Sequence, residues 1–320
     1  MATATATKGK RRTYEGPTAE EKLCTELVAL IESGTNPWRK GWRGGQGGDK
    51  HRNLLSNQPY RGSNPAVLAF YQACRGFSLP LWAGIGQAKQ QGWFPRKGSS
   101  GCYVLRPQLN KREEKDDSGE VKKGPDGIPL ISAWVSYKPA CVFNVADLKG
   151  GDEASQADLD SRIAIAIDAP PIPEPQRLSQ AEAVLGAWPV ETVWMGGRAC
   201  YTPGLDRITM PDRNRFSSPE ALYATWAHEQ AHSTGHGDRL GRKYGFKGDS
   251  DYAREELVAE VAAFLICNRL SIGSNVENHA AYLANWARLL KEGPRVLFKV
   301  LSDATKAANL ICGPEVEQDS

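Results

Sequence analysis

The stretch Ala227-His228-Glu229-Gln230-Ala231-His232 constrains this chain more than any other. It holds an H-E-x-x-H. Histidines four apart share one face of a helix, because four residues make roughly one turn. Both imidazoles of His228 and His232 can then reach one metal ion, and Glu229 can accept a proton from a water activated there. The flanks favour a helix. Ser217 and Glu220 read as a capping box with Pro219 in the first turn, and Gly235 or Gly237 can end the helix. Three of the five histidines fall between positions 228 and 236. A chance H-E-x-x-H on a solvated helix is the competing reading of the motif alone.

A metal site of this kind needs a third protein ligand. A second helical stretch, residues 251–265, carries Glu256 and Glu260 one turn apart, beside the apolar Leu257, Val261, Phe264 and Leu265. Carboxylates bordering an apolar face are costly unless they meet a cation or a donor. Glu256 is taken as the third ligand. Glu260 then hydrogen-bonds a ligating histidine, and the two roles can be exchanged. The plainer reading is that Glu255, Glu256 and Glu260 solvate the helix beside Arg254. Asp238 occupies the position where H-E-x-x-H-x-x-G-x-x-H would place a ligand and is a rival. His236 does not fit that spacing and reads as a substrate-side or structural residue.

Charge divides the chain. Residues 1–110 hold 16 Lys+Arg against 6 Asp+Glu, and the rest holds 24 against 31. A basic front part and an acidic remainder suggest two tasks, and a basic domain commonly neutralises nucleic-acid phosphates. At 320 residues and 40% hydrophobic, the chain has material for one or two cored domains. No apolar run approaches the roughly 20 residues of a membrane span. The polar, basic residues 1–12 are not a secretory signal. Seven scattered cysteines without a C-x-x-C fit free thiols in a reducing cytoplasm.

Residues 18–33 read as a helix, capped by Thr18 and Glu21, with an apolar stripe of Leu23, Leu27, Leu30 and Ile31 and Gly34 at its end. Trp38, Arg39, Lys40, Trp42 and Arg43 follow in a loop. Tryptophans interleaved with cations suit a single strand of nucleic acid, because bases stack on the rings while the cations meet phosphates. The same tryptophans could pack under the loop as core. Tyr60 and Arg61 precede a helix capped by Asn64 with Pro65 at its first turn and Gly76 at its end. Arg96 and Lys97 again place cations beside aromatics, Trp93 and Phe94. Strands are expected at 102–109, 131–137 and 140–145, with a charged loop at 111–127. Gly150-Gly151, an acidic run and Pro170-Pro171-Ile172-Pro173 make residues 150–177 linker-like, with a short strand at 163–167 within it. A helix at 179–188, short strands at 193–195, 199–201 and 206–211, and helices at 280–290 and 293–308 complete the second part.

With these residues assembled, the chain resembles the ArdC-type antirestriction proteins of plasmids and phages, over roughly residues 18–310. In the front part the resemblance rests on Asn36-Pro37-Trp38, Trp42, Tyr60-Arg61-Gly62, Asn64, Trp82, Gln87-Ala88, Gly92, Arg96-Lys97-Gly98 and Val142-Phe143-Asn144-Val145. In the second part it rests on Ala199-Cys200-Tyr201, Asp206 to Pro211, His228-Glu229, His232, Thr234-Gly235-His236, Arg239-Leu240, Tyr252 and Glu255 to Glu260. The last two blocks are the most specific. Gln230 and Ser233 stand where Leu and Trp are expected, and neither position carries the chemistry.

The resemblance implies an α+β fold in two domains. An N-terminal α+β domain (17–149) binds single-stranded DNA, and a C-terminal zincin-like metalloprotease domain (178–313) is built of helices with a small sheet. A flexible basic tail (1–16), the linker (150–177) and a polar tail (314–320) complete the expected division. The implied role is to shield incoming DNA from host restriction, with a protein substrate such as a host restriction component. Zn²⁺ is the expected metal, with another divalent ion such as Mn²⁺ as the variant. Tyr201, Tyr252 and His236 are open candidates for polarising a carbonyl. Two other readings stand beside this one. In the first, a strand-coating protein carries a purely structural metal site closed by Asp238 or His236. In the second, a dedicated zinc endopeptidase uses its basic part to recognise an acidic protein.

Overall fold

The computed structural model describes residues 19–33, 50–114, 116, 119–168, 174–195, 197–245, 249–272 and 287–315. The fold is α+β, in two parts that share one large core. The first part opens with α1 (Ala19–Glu32), β1 (Arg52–Asn53) and α2 (Asn64–Arg75). It continues with β2 (Leu81–Gly84), α3 (Ile85–Gln90), β3 (Trp93–Pro95), β4 (Cys102–Glu113), β5 (Ile131–Asn144), β6 (Leu148–Gly150) and α4 (Glu153–Ile167). Its main sheet runs β1-β2-β5-β4, with β1 parallel to β2 and the other neighbours antiparallel.

Strand β2 shows why this sheet is covered on both faces. Side chains alternate along a strand. Trp82 enters the large core, while Leu81 and Ala83 enter a second core with Trp93, Leu148 and Leu159. Strands β4 and β5 form a long two-stranded arm, registered from Cys102 opposite Val142 to Glu113 opposite Ile131. Two strands were expected where β5 runs unbroken through Pro139. β2 pairs only with residues 142–144, so the missing N–H of Pro139 faces no ladder on that side.

Two further local expectations are corrected. Ser63, not Asn64, occupies the cap position of α2. The Asn64 side chain instead reaches β4, where it donates to the Leu105 carbonyl (2.9 Å) and accepts from the Leu105 N–H (2.7 Å). Residues 150–177, read as a linker with a short strand, contain the whole of helix α4. Asp152 caps it by accepting from the Ser155 N–H, and Leu159, Ile163 and Ile167 form a stripe on the second core. That packing outweighs the glycines and the acidic run.

The second part comprises α5 (Glu174–Gly186), β7 (Glu191–Trp194), β8 (Cys200–Thr202), β9 (Arg207–Met210), α6 (Pro219–Ser233), α7 (Ser250–Arg269) and α8 (Pro294–Cys312). Its sheet runs β7-β9-β8, with β8 antiparallel at the edge beside α6. Ser218 caps α6 one residue later than the sequence suggested, accepting from the Ala221 N–H (3.1 Å) with Pro219 in the first turn. Asp249 caps α7 by accepting from the Tyr252 N–H (2.7 Å). Helix α7 is buried on nearly every side from Leu257 to Cys267, as a central helix must be. The shared core joins α1, α2, α5, α6, α7 and α8, so the metal-bearing helices rest on the first part as well as the second. No described helix is long and apolar enough to cross a membrane.

A candidate metal centre

Helices α6 and α7 pack side by side and bring His228, His232 and Glu256 into one cluster. One ligand atom from each lies within 4.8 Å of the other two. The two Nε2 atoms are 3.2 Å apart. The Glu256 carboxylate stands 3.9 Å from His228 Nε2 and 3.8 Å from His232 Nε2. Donor atoms about 2 Å from a shared tetrahedral ion stand a little over 3 Å from one another, so this set fits a small divalent ion. Among the described residues it is the only such cluster. Asp238 stays outside it with its side chain 90% exposed, 3.5 Å from His236 Nδ1. The rival third ligand is thereby set aside.

Both histidine ligands are held from behind. Glu260 places a carboxylate oxygen 3.6 Å from His228 Nδ1, one turn along α7 from Glu256. His232 Nδ1 lies 3.2 Å from Glu255 Oε1. Arg242 grips Glu255 with two hydrogen bonds, Nε to Oε2 at 2.8 Å and Nη2 to Oε1 at 2.7 Å. Arg242 also donates to the Thr234 hydroxyl and the Ala231 carbonyl, and the Tyr244 hydroxyl donates to the His232 carbonyl. Arg242 and Tyr244 were not singled out from the sequence, and Glu255 was named there without a role at the site. Glu255 had one signal, its place beside Glu256 on a helix buried all round. Arg242 and Tyr244 lie in a loop, where spacing predicts nothing.

The electrostatics favour a cation. Burial alone would lower the His232 pKa, but the hydrogen bond to Glu255 and the charges of Glu255, Glu256 and Glu229 raise it to about 9. Burial opposes ionisation of Glu255, yet Arg242 and His232 hold its carboxyl below the usual range. Glu229 differs: burial pushes its pKa up and Glu256 adds to the rise, against the pull of His232, the Tyr201 N–H and Arg198. A buried carboxyl of raised pKa beside a metal cluster is what a proton-transferring base requires.

The cluster lies at the floor of a cavity of about 670 Å³, walled by β8 and the 197–203 segment, Pro211, Phe216, Tyr244, Tyr252 and Glu229. Tyr201 lines it, but its hydroxyl donates to Asp206 (2.7 Å), which Arg239 also grips. Arg239 Nε in turn donates to the Ser233 carbonyl at the end of α6 (2.7 Å). This chain of contacts ties the edge strand to the histidine helix. Gln230 and Ser233, the two departures from the expected pattern, are explained by α5 and the residues just after it. Gln230 donates to the Leu185 carbonyl (2.7 Å), and Ser233 accepts from the Trp188 indole (2.9 Å).

The residues expected to meet nucleic acid are distributed otherwise. Trp38, Arg39, Lys40, Trp42 and Arg43 lie outside the described residues. Tyr60 packs against the core, and burial pushes its hydroxyl up to about 12. Arg61 is half-buried in the turn before α2. Arg96 and Lys97 are exposed, and Arg96 Nε donates to the Ala146 carbonyl (3.1 Å).

Comparison with known proteins agrees with this geometry. Residues 179–303 match a profile described as a zincin-like metallopeptidase. Residues 17–138 match one described as the N-terminal domain of anti-restriction factor ArdC. The crystal structure of antirestriction ArdC protein from plasmid R388, metal-free, superposes with a TM-score of 0.62 at 31% identity, covering 92% of this chain and 96% of that one. Its Mn(II)-bound form gives 0.61 at 29% identity with the same coverage. Among curated proteins, a DNA primase TraC of Escherichia coli is 30% identical over 308 residues, 93% of this chain but 20% of its own length. A second TraC is 29% identical, with 27% of its length spanned. An uncharacterized protein, y4eC, of Sinorhizobium fredii is 26% identical with 93% of both chains covered. The fold and the site therefore define a two-domain protein whose second domain has the zincin-like metallopeptidase fold and a divalent-metal site. The chain belongs to the ArdC antirestriction family.

Proposed function

We propose that this protein binds single-stranded DNA through its N-terminal domain, cleaves a peptide bond at a zinc centre in its C-terminal domain, and protects incoming DNA of a mobile element from host restriction. The observation that carries the hydrolytic part is the His228–His232–Glu256 cluster opening with Glu229 into a cavity beside an edge strand. The described residues offer three ligands, and a closed structural site needs four. Its divalent ion supplies Lewis acidity and an acidified water. His228, His232 and Glu256 hold that ion, with Zn²⁺ the expected species and Mn²⁺ the variant that the R388 relative suggests.

The chain's own groups supply the rest. Glu229 takes a proton and passes it to the leaving amine; its burial keeps the carboxyl basic enough to do so. The Tyr201 N–H donates to Glu229, so the base is aimed from the edge strand. β8 offers an open strand edge for an extended peptide to lie along. Glu255 and Arg242 fix the His232 ring. A host protein of the restriction machinery is the proposed substrate, and the setting is the cytoplasm.

The test has two arms. Metal-loaded protein and Glu229→Gln are incubated with unstructured peptides and the products read by mass spectrometry. Cleavage by wild type alone supports the reading, and no cleavage by either removes the peptidase part. Oligonucleotide binding is followed against salt in the same proteins. Sequence-independent affinity that falls steeply with salt, equal in both, supports strand binding. Absence of binding removes it.

A further inference from the structure

The cavity above the metal cluster carries cations at its rim as well as carboxylates at its floor. Arg198 and Arg215 both line it, and both are exposed. They come from different walls. Arg198 stands two residues before β8, and Arg215 ends a short 3-10 helix, Arg213–Arg215. The Arg215 guanidinium reaches the opposite wall. A Cβ added at Gly197 would stand 3.4 Å from Arg215 Nη1 and 3.9 Å from Nη2. Gly197 therefore leaves the room in which Arg215 lies beside the chain neighbour of Arg198.

The charges of the cavity can be counted. Its described lining holds three carboxylates, Glu229, Glu255 and Glu256. Glu255 is engaged by Arg242 and His232. Glu256 and Glu229 together balance one divalent ion. The two arginines come on top of that balance, so the loaded lining carries net positive charge. A cleft walled by protein focuses such a charge on what enters it, and a guanidinium matches a carboxylate with two parallel hydrogen bonds. On the peptidase reading above, the reacting bond lies near Glu229, which the Tyr201 N–H meets. Arg198 is three residues back along the same segment, at most about 10 Å of chain.

We propose that Arg198 and Arg215 select substrates that carry an aspartate or glutamate within about three residues of the cleaved bond. The proposal rests on the peptidase reading and gives it a substrate class, an acidic and extended peptide segment.

The test uses the full, metal-loaded chain and matched peptides with Glu, Gln or Lys at one position beside the cleaved bond. kcat/KM should be about three- to tenfold higher for Glu than for Gln and lower still for Lys, with the preference shrinking as salt rises. Arg198→Glu combined with Arg215→Glu should invert the order, whereas Arg198→Lys with Arg215→Lys should keep it. Equal rates for the three peptides in wild type, or an order unchanged by charge reversal, overturn the proposal. Binding of the same peptides to metal-loaded Glu229→Gln, read by fluorescence anisotropy, needs no turnover. The Glu peptide should again be favoured about three- to tenfold, and adding Arg198→Glu and Arg215→Glu should remove the preference. Selective binding without cleavage by wild type removes the peptidase reading and leaves the acidic-peptide site standing. Unselective binding overturns the site whether or not peptides are cleaved. If the three peptides bind alike while the charge reversal abolishes binding of an oligothymidylate, the arginines belong to a nucleic-acid strand and the proposal is likewise overturned.

Discussion

The metal centre and the exposed cations Arg96 and Lys97 of the N-terminal domain place charge in opposite ways. In the centre, each ligand hangs on a helix buried nearly all round, and both histidines are braced by a carboxylate, Glu260 beside His228 and Glu255 behind His232, with Arg242 behind Glu255. Arg96 and Lys97 are exposed, with Arg96 held by one hydrogen bond to a carbonyl. A buried charge is tolerated only where its partners are supplied in advance, whereas a surface cation is satisfied by water until a ligand arrives. The first arrangement suits chemistry at fixed atoms. The second suits a polyanion that is read by its charge.

The largest effect that could break this contrast is on catalysis. Glu229→Gln should retain the ion by elemental analysis and lose about 10²- to 10⁴-fold in peptide hydrolysis, the usual contribution of a positioned base. Loss of the ion in that variant would place Glu229 among the ligands instead. Next in size is the brace. Arg242→Ala strips the buried Glu255 carboxylate of its bidentate partner, leaving only His232, and should cost about 3–5 kcal/mol in urea unfolding of the metal-free protein. Arg96→Ala should stay within about 0.5 kcal/mol in the same measurement. Equal costs for the two would erase the distinction.

Protons sharpen the same contrast. Glu255 ionises more readily in the folded chain than in the unfolded one. Its contribution to stability is therefore present above the ordinary carboxylate pKa of about 4.3 and is lost as pH falls through the lower folded value. His232 behaves oppositely in the metal-free protein. Its folded pKa of about 9 lies above its unfolded value, so its contribution is complete below the unfolded pKa and is lost as pH rises through about 9. His232 must be neutral to ligate, so ion uptake at pH 7 should release about one proton from it, declining toward none above that pKa. Calorimetry in buffers of different ionisation enthalpy reads this number directly. Smallest is the surface effect: Arg96→Ala with Lys97→Ala should lower the salt slope of oligonucleotide binding by about two, leaving metal content unchanged.

Legibility followed the same division. His228, Glu229 and His232 could be read because one helical turn dictates their geometry, and Glu256 and Glu260 because α7 repeats the turn. Arg242 and Tyr244 could not, since a loop has no period to betray which side chain it turns inward. Helix α4 was hidden among glycines and acidic residues that suggested a linker, because its stripe of Leu159, Ile163 and Ile167 gains meaning only against the core it covers. The Asn64 side chain looked like a cap and instead serves a strand 41 residues away. Local propensity was outweighed there by a tertiary partner.

The most direct test of the central claim is metal content per chain by elemental analysis for wild type, His228→Ala and Asp238→Ala, after loading and exhaustive dialysis. The triad of His228, His232 and Glu256 predicts about one divalent ion in wild type and in Asp238→Ala and none in His228→Ala. An ion retained by His228→Ala, or lost with Asp238, would contradict it.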